Sequence, residues 1–189
     1  MNKATKALSA VTLSALVGVG AAAAPAAAAP AATRAPAAGQ GAGTIIAESN
    51  EQSVADIFAG INAFRAAKGL APVKYNPAVS QVAQGWSDQL ASTGAFRHNP
   101  EYAASPDLAG WTRAGEVIAS RYDRDASAMM QQWINSPGHN AILSDPNLNT
   151  IGIGITYSSG GQAMYGVVNF FQYSPDHAAT VAAPAAAVR

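Results

Sequence analysis

Apolar residues in the first part of the folded region recur every three to four residues, which predicts an amphipathic helix. The apolar positions are Val54, Ile57, Phe58, Ile61 and Phe64. Ser53, followed three residues later by Asp56, resembles a capping box, so we expect the helix to begin there. Gly69 marks its end, because glycine readily adopts the left-handed conformation that closes a helix.

A second helix is indicated by Asn76-Pro77, where asparagine suits the N-cap and proline suits the first helical position. Its apolar stripe consists of Val79, Val82, Ala83, Trp86 and Leu90. Gly94 ends this helix, and the segment from Arg97 to Pro100 leaves it as a loop. The chain from Glu101 to Thr112 has no clear period, so we expect a loop or a short helix there.

Two more helices are expected in the second half of the folded region. The third begins at Asp123 or Asp125, and its apolar side consists of Ala126, Met129, Met130 and Trp133. A fourth follows directly, with Ser136 at its N-cap and Pro137 in its first turn, and Asp145-Pro146 ends it. The three tryptophans, Trp86, Trp111 and Trp133, are better explained as core residues than as ligand-binding residues.

Strand periodicity appears near the end of the folded region. Ile151, Ile153, Ile155 and Tyr157 alternate with Gly152, Gly154 and Thr156. Residues 158–161 form a hairpin turn, and residues 164–171 form the returning strand. The two glycines on one face let another element approach the backbone closely. A short strand over residues 116–120 completes an α+β domain with helices packed on a small antiparallel sheet.

The two ends of the chain differ in composition from this region. A basic start, an apolar run over residues 7–24 and several Ala-x-Ala sites predict a secretory signal over residues 1–30, cleaved between about 20 and 32. An uncleaved membrane anchor is the alternative, although the run is rich in alanine. We expect a disordered Ala/Pro spacer over 31–48, a folded domain over 49–177 and a disordered Ala-rich tail over 178–189.

Charge and cysteine content narrow the classes of partner. Removing Lys3 and Lys6 with the signal changes 11 basic and 11 acidic residues to 9 and 11, and no run of like charge remains. Nucleic acid is therefore not an expected partner, because phosphate binding needs a concentrated basic face. The chain has no cysteine, so disulfides cannot stabilise it. From the predicted signal we expect a secreted or extracellular protein, retained in the cell wall or released, and we expect it to be a monomer.

Few residues offer chemistry. The histidines are His98, His139 and His177, of which the first two stand at element boundaries where side chains can face a cleft. His139, in the first turn of its helix, is disfavoured as a cation by the helix dipole, and a neutral imidazole is what a divalent metal needs. Glu116 follows a glycine and precedes an apolar run. Each of these residues also has a purely structural interpretation, and the sequence has no nucleophile elbow, zincin motif or phosphate loop.

Taken in order, six segments resemble the bacterial domains of the CAP superfamily (cysteine-rich secretory proteins, antigen 5 and pathogenesis-related proteins). The most specific is Trp133 to Leu143, which resembles the family's "W-x-x-S-P-G-H-x-x-N-I-L", together with "G-E-x-I" upstream at Gly115 to Ile118. The other segments are Ile61 to Arg65 with Gly69 to Val73, Trp86 to His98, Ile151 to Gly154 and Tyr165 to Phe171.

The resemblance implies a three-layer α-β-α sandwich with a central cleft, lined in many members by two histidines and two glutamates. His98, Glu116 and His139 match three of those positions, and Ser136 stands at the fourth, where the family has glutamate. Val117 replaces the family's usual asparagine, which we expect to loosen the chain after Glu116. No cofactor is certain, and His98 and His139 are the candidate ligands for a divalent metal such as zinc.

Three functions remain open at this stage. The first is a binding module that holds a small molecule, a lipid or a divalent ion in the cleft. The second is a metal-assisted hydrolase of peptide or cell-wall substrates, which needs a carboxylate as general base where this chain has Ser136. The third is a structural or interaction protein of the cell envelope.

Overall fold

The computed structural model describes the backbone of residues 42–174 and the side chains of residues 50–174. The helices are α1 (Ala42–Ala67), α2 (Pro77–Thr93), α3 (Ala126–Asn135) and α4 (Pro137–Leu143), with a 3-10 turn at Pro106–Leu108. The strands are β1 (Lys74–Tyr75), β2 (Arg113–Arg121), β3 (Thr150–Tyr157) and β4 (Met164–Gln172). The predicted signal and tail lie outside the described residues, and within 42–174 no helix combines the length and apolarity needed to cross a membrane.

The four strands form one sheet in the order β1-β3-β4-β2. The hairpin of β3 and β4 is antiparallel, and β2 pairs antiparallel with β4 over its whole length. β1 runs parallel to β3, with Lys74 opposite Thr150. The sheet is therefore mixed, whereas the sequence predicted an antiparallel sheet. The α+β class is confirmed, and β2 is longer than the segment predicted for it.

Helices cover both faces of the sheet and give a three-layer sandwich. On one face the core joins α1, α3 and α4 to the sheet, and it includes Ile57, Trp133, Ile153 and Val168. On the other face α2 forms two smaller clusters with the sheet. Trp86 and Leu90 meet Ile118 and Val167 in one, and Val79 and Phe171 meet Leu108 of the 3-10 turn in the other. Because successive side chains of a strand point to opposite faces, each strand contributes residues to two separate cores.

The predicted start of the first helix is wrong. α1 extends on the N-terminal side of Ser53 to Ala42, so Ser53 lies inside the helix. Its hydroxyl is buried and lies 3.1 Å from the hydroxyl of Tyr157, while the Asp56 carboxylate accepts a hydrogen bond from the Gln52 side chain. Both residues of the apparent capping box thus have other partners. The predicted domain boundary at residue 49 falls within this helix.

The caps of α2 and α3 are confirmed. The Asn76 side chain accepts hydrogen bonds from the backbone N–H groups of Ala78 and Val79, and Gly94 ends α2 with φ at 67°. Asp125 caps α3 by accepting from the N–H of Ala128. These local signals fix where α2 ends, and with it the start of the loop that carries His98.

Two glycines of β3 bring α2 against the sheet, as the sequence predicts. A Cβ atom on Gly152 would lie 2.2 Å from the backbone nitrogen of Ser80, and one on Gly154 would lie 2.4 Å from the carbonyl carbon of Ala83. Without these Cβ atoms α2 packs against the backbone of β3. Because β1 pairs with only two residues of β3, the backbone groups further along that edge are left to side chains of α2. The Ser80 hydroxyl accepts from Ile153 N–H, and the Gln84 amide bonds both N–H and C=O of Ile155.

A buried arginine connects α1 to the loop that follows it, to the end of α4 and to the connection between α4 and β3. The Arg65 side chain is fully buried, and its guanidinium donates hydrogen bonds of 2.8–3.0 Å to four backbone carbonyls. These carbonyls belong to Ala71, Leu143, Asp145 and Leu148. Burial lowers the pKa of the Arg65 guanidinium, and the charge of Asp145 opposes that shift. One turn earlier, the Asn62 amide bonds the N–H and C=O of Val73, so the N-x-x-R segment holds the connections at this end of the fold.

We expect Arg65→Leu to lower the free energy of unfolding by about 3 kcal/mol or more, because it leaves buried carbonyls without a donor. The matched control is Arg113→Leu. Arg113 pairs with Asp145 at 2.9 Å but its side chain is 45% exposed, so its loss should cost less than about 1 kcal/mol. Urea denaturation of the two variants makes the comparison, and equal losses would contradict the role given to Arg65.

Two glycine-to-alanine substitutions should change the free energy of unfolding in opposite directions. Gly152→Ala forces a methyl group into the α2 backbone and should destabilise the fold by about 3 kcal/mol. Gly85 lies on the exposed side of α2 and has no heavy atom within 4 Å of its Cβ position, so Gly85→Ala should stabilise the helix by about 1 kcal/mol. Thermal unfolding of both variants measures this, and a destabilised Gly85→Ala would contradict the open environment.

Candidate functional site

The candidate site lies at β2, which is the last strand of the sheet and has one side unpaired within residues 42–174. Glu116 is in β2, opposite Asn169 of β4, and points to the face that α2 covers. His98 comes from the loop after α2, and His139 comes from α4, which packs on the other face. Groups from both helical layers therefore meet around this edge.

Glu116 is the centre of a short hydrogen-bonded unit. Its side chain is 2% exposed, and Oε1 lies 2.8 Å from Nδ1 of His98. The same oxygen accepts the backbone N–H of Asn99 at 2.9 Å. A carboxylate accepts only, so His98 donates from Nδ1 and its Nε2 is left as the coordinating or accepting nitrogen while the ring is neutral. Glu116 thus sets both the tautomer and the orientation of His98.

His139 faces His98 across the site. Their ring centroids are 6.5 Å apart, with an angle of 48° between the planes. His139 is buried, and neither of its ring nitrogens has a hydrogen-bond partner in the structure. Burial lowers the pKa of His139, and the nearby His98 lowers it further, so the neutral imidazole is favoured.

The backbone of β2 makes room for α4. A Cβ atom on Gly115 would lie 3.1 Å from Cγ2 of Ile142, so the glycine allows α4 to pack closely beside Glu116. Val117 is fully buried in the core under α1 and α3, within a regular strand. The expectation that Val117 loosens the chain after Glu116 is therefore wrong, because its side chain belongs to the opposite face of the sheet.

Ser136 is at the N-cap of α4, as predicted, but its side chain makes no capping hydrogen bond. The residue is buried and its hydroxyl has no partner in the structure. It lies three residues before His139, at the junction of α3 and α4. The hydroxyl that replaces the family's glutamate is thus a buried group with unused hydrogen-bonding capacity.

Two residues near Glu116 were missed by the sequence analysis. Asn169 is fully buried directly opposite Glu116, and neither its amide nitrogen nor its oxygen has a hydrogen-bond partner. Tyr102 is half-buried, and both its burial and the charge of Glu116 raise the pKa of its phenol. The signal for Asn169 was present, since it is a single polar residue in the apolar run Val167 to Phe171.

The residues fit a metal ion only partly. Among the described residues no group of three or more His, Cys, Asp and Glu side chains is placed to hold one ion. His98 and His139 supply two nitrogens, and one Glu116 oxygen is already used by His98 and Asn99. Two imidazoles on one tetrahedral zinc have ring centroids about 5 Å apart, so small side-chain rotations would have to shorten the observed separation.

The lowered pKa of His139 predicts a loss of stability in acid. Unfolded His139 titrates near 6.5, whereas the folded residue takes up a proton only at lower pH. Its contribution to stability is therefore complete above pH 6.5 and falls as the pH drops from there towards the folded pKa. Urea unfolding between pH 7.5 and pH 5 should show a decline that is smaller in His139→Asn. An equal decline in both proteins would contradict the prediction.

Comparison with known proteins agrees with this architecture. The Cysteine-rich secretory protein family, CAP, matches residues 58–171, which is more than half of the chain. Two curated relatives from Bacillus subtilis (strain 168) are the uncharacterized membrane protein YlbC, 28% identical over 116 residues, and the uncharacterized protein YkwD, 29% identical over 103 residues. The matches cover 58% and 51% of this chain, but only 32% and 40% of those relatives.

Solved structures share the fold. An extracellular protein containing an SCP domain from Bacillus anthracis str. Ames has a TM-score of 0.61 and 22% identity, covering 71% of this chain and 45% of that one. A cysteine-rich secretory protein from Staphylococcus aureus subsp. aureus Mu50 has a TM-score of 0.52 and 18% identity, covering 65% and 39%. With the family match over residues 58–171, the chain belongs to the CAP family, although it contains no cysteine.

Proposed function

We propose that this CAP-family protein is an exported binding module whose cleft at His98, Glu116, Ser136 and His139 holds a small polar ligand or a divalent ion. The observation that carries the proposal is that several polar atoms of these residues are buried without hydrogen-bond partners. They are Oε2 of Glu116, Oγ of Ser136 and both ring nitrogens of His139. Buried polar atoms normally have hydrogen-bond partners, so this group favours an occupant that supplies them.

The chemistry of the cleft constrains that occupant. A negative carboxylate oxygen, a neutral imidazole and a hydroxyl favour a group that donates hydrogen bonds or carries positive charge. A divalent ion would supply such a charge and coordination positions open to further ligands, with His98 and His139 as its protein ligands. A lipid would leave these polar atoms unsatisfied unless its polar end lay against them.

A hydrolase is less well supported. Metal-assisted hydrolysis needs a general base in addition to the metal ligands. Glu116 orients His98, and the position of the second family carboxylate holds Ser136, which is a weak base. Holding and orienting a ligand requires only the groups that are present.

Export is proposed from the first thirty or so residues. The basic start, apolar run and Ala-x-Ala sites favour a cleaved signal, and the mature protein would be a monomer in the cell wall or medium. Two structural relatives are described as an extracellular protein and an outer surface protein, which agrees with this location. The relative described as a membrane protein agrees instead with an uncleaved anchor. N-terminal sequencing of the exported chain separates the two, because cleavage would leave an N-terminus between Ala21 and Ala32.

Zinc titration tests the cleft. We expect the chain, purified without a histidine tag, to bind ZnCl₂ with modest affinity in calorimetry, weakened about tenfold or more in His98→Ala and in His139→Ala. The matched control is His177→Ala, the third histidine of the sequence, which should leave the affinity unchanged. His98→Ala should also cost about 1–3 kcal/mol of stability, because Glu116 loses a partner.

Two other outcomes of the zinc titration would change or contradict the proposal. Equal zinc affinity in all three variants would place the ion outside the cleft and leave the proposal to organic ligands. Mass spectrometry of molecules that copurify with the chain then tests that part. If no zinc binds and no copurifying molecule is lost in His139→Ala, the binding-module proposal is contradicted.

A further inference from the structure

A second concave site lies beside α2, and the proposed function does not use it. The groove has a volume of about 450 Å³ and runs between α2 and the loop that follows His98. α2 contributes Gly85, Trp86 and Gln89, and the loop contributes Asn99, Glu101 and Ser105. It contains none of the residues proposed for the cleft, although the backbone N–H of Asn99 donates a hydrogen bond to Glu116.

Gly85 is the residue that the fold does not explain. Gly152 and Gly154 are required by close backbone contacts, but a Cβ on Gly85 would meet no heavy atom within 4 Å. Its φ angle is not positive, so its backbone does not call for glycine either. Glycine in the middle of a helix costs stability relative to alanine. Its effect here is to expose the α2 backbone to the groove, where a ligand can approach closely.

The aromatic part of the groove is held in place. The indole N–H of Trp86 donates to the carbonyl of Arg97 at 3.0 Å, and the Arg97 guanidinium lies 5.4 Å from the ring centroid. Since its N–H is already used and the residue is only 8% exposed, Trp86 offers a small area of apolar ring surface to an occupant. Next to Gly85, this surface suits the C–H groups of a compact ligand.

The opposite wall supplies neutral hydrogen-bonding groups. Gln89 and Asn99 are amides that both donate and accept, and Ser105 is a hydroxyl. The Asn99 oxygen accepts the backbone N–H of Glu101 at 2.9 Å, while the Asn99 N–H is bonded to Glu116, so this part of the loop is held in position.

The charge and polarity of the lining exclude other ligand classes. Glu101 is the only lining residue with an ionisable side chain, and it disfavours phosphates and fatty acids. A long apolar chain would leave the amides and the hydroxyl unpaired. A ligand rich in hydroxyl groups, with an apolar C–H face and no negative charge, satisfies both parts of the groove.

We propose that this groove binds a neutral saccharide of about one or two rings, the size that its volume accommodates. Ring C–H groups pack beside Gly85 and Trp86, and hydroxyl groups exchange hydrogen bonds with Gln89, Asn99 and Ser105. The site gives the protein a means of recognising glycan chains with residues other than those of the cleft.

The test is a titration of the ¹⁵N-labelled chain with N,N′-diacetylchitobiose and, separately, with cellobiose, followed by NMR. At least one disaccharide should shift the amides of Gly85 and Asn99 and the indole of Trp86. Gly85→Phe should weaken its binding about tenfold or more by filling part of the groove, since a Cβ atom at this position meets no heavy atom of the fold within 4 Å. Gln89→Ala should weaken it by removing one pair of hydrogen bonds.

The matched control is Gln131→Phe, which adds the same side chain to an exposed position of α3 on the other side of the sheet. It should bind as the unmodified chain does, and circular dichroism checks that both variants are folded. The proposal is overturned if neither disaccharide binds, if the shifts lie elsewhere, or if Gly85→Phe binds as well as Gln131→Phe. Tighter binding of sodium dodecanoate at the same residues would also overturn it, in favour of a lipid.

Discussion

The buried guanidinium of Arg65 is the constraint on which the rest of the fold depends. Its four carbonyl acceptors lie in the loop after α1, at the end of α4 and in the connection to β3. A planar group with five donors can serve all of them at once, which a lysine could not. Because α4 also carries His139, the arginine indirectly fixes one side of the cleft. In a chain without cysteine, this hydrogen-bonded junction ties these segments together in the folded state without a covalent link.

Around that frame, the cleft is assembled at the edge of the sheet rather than within one layer. Glu116 reaches His98 directly, whereas His139 approaches from the other helical layer and keeps both nitrogens unpaired. Unsatisfied buried groups reduce the stability of the folded protein, and a ligand that satisfied them would recover that loss. The binding role proposed for this site relies on these unpaired atoms, whereas the Glu116 carboxylate already orients a histidine.

Most of the fold could be predicted because its signals are local. Asn76 and Gly94 mark the two ends of α2 through backbone geometry that depends on neighbouring residues only. The alternating glycines of β3 predicted the close contact with another element. The start of α1 was predicted wrongly from Ser53, because the Ser53 hydroxyl pairs with the hydroxyl of Tyr157, more than a hundred residues away in the sequence. The parallel pairing of β1 and the position of Asn169 opposite Glu116 likewise depend on tertiary contacts. At the candidate site, the sequence motifs indicated which residues come together, but not which of their atoms lack hydrogen-bond partners.

The side chains of Ser80 and Gln84 along β3 have a further consequence. They occupy the N–H and C=O groups that a strand from another molecule would need in order to extend the sheet on that side. The opposite edge, β2, begins and ends with the charged residues Arg113 and Arg121 and is approached by groups of the cleft. Both margins of a largely apolar sheet are thus unfavourable for strand addition, which protects the protein against aggregation while it is unbound.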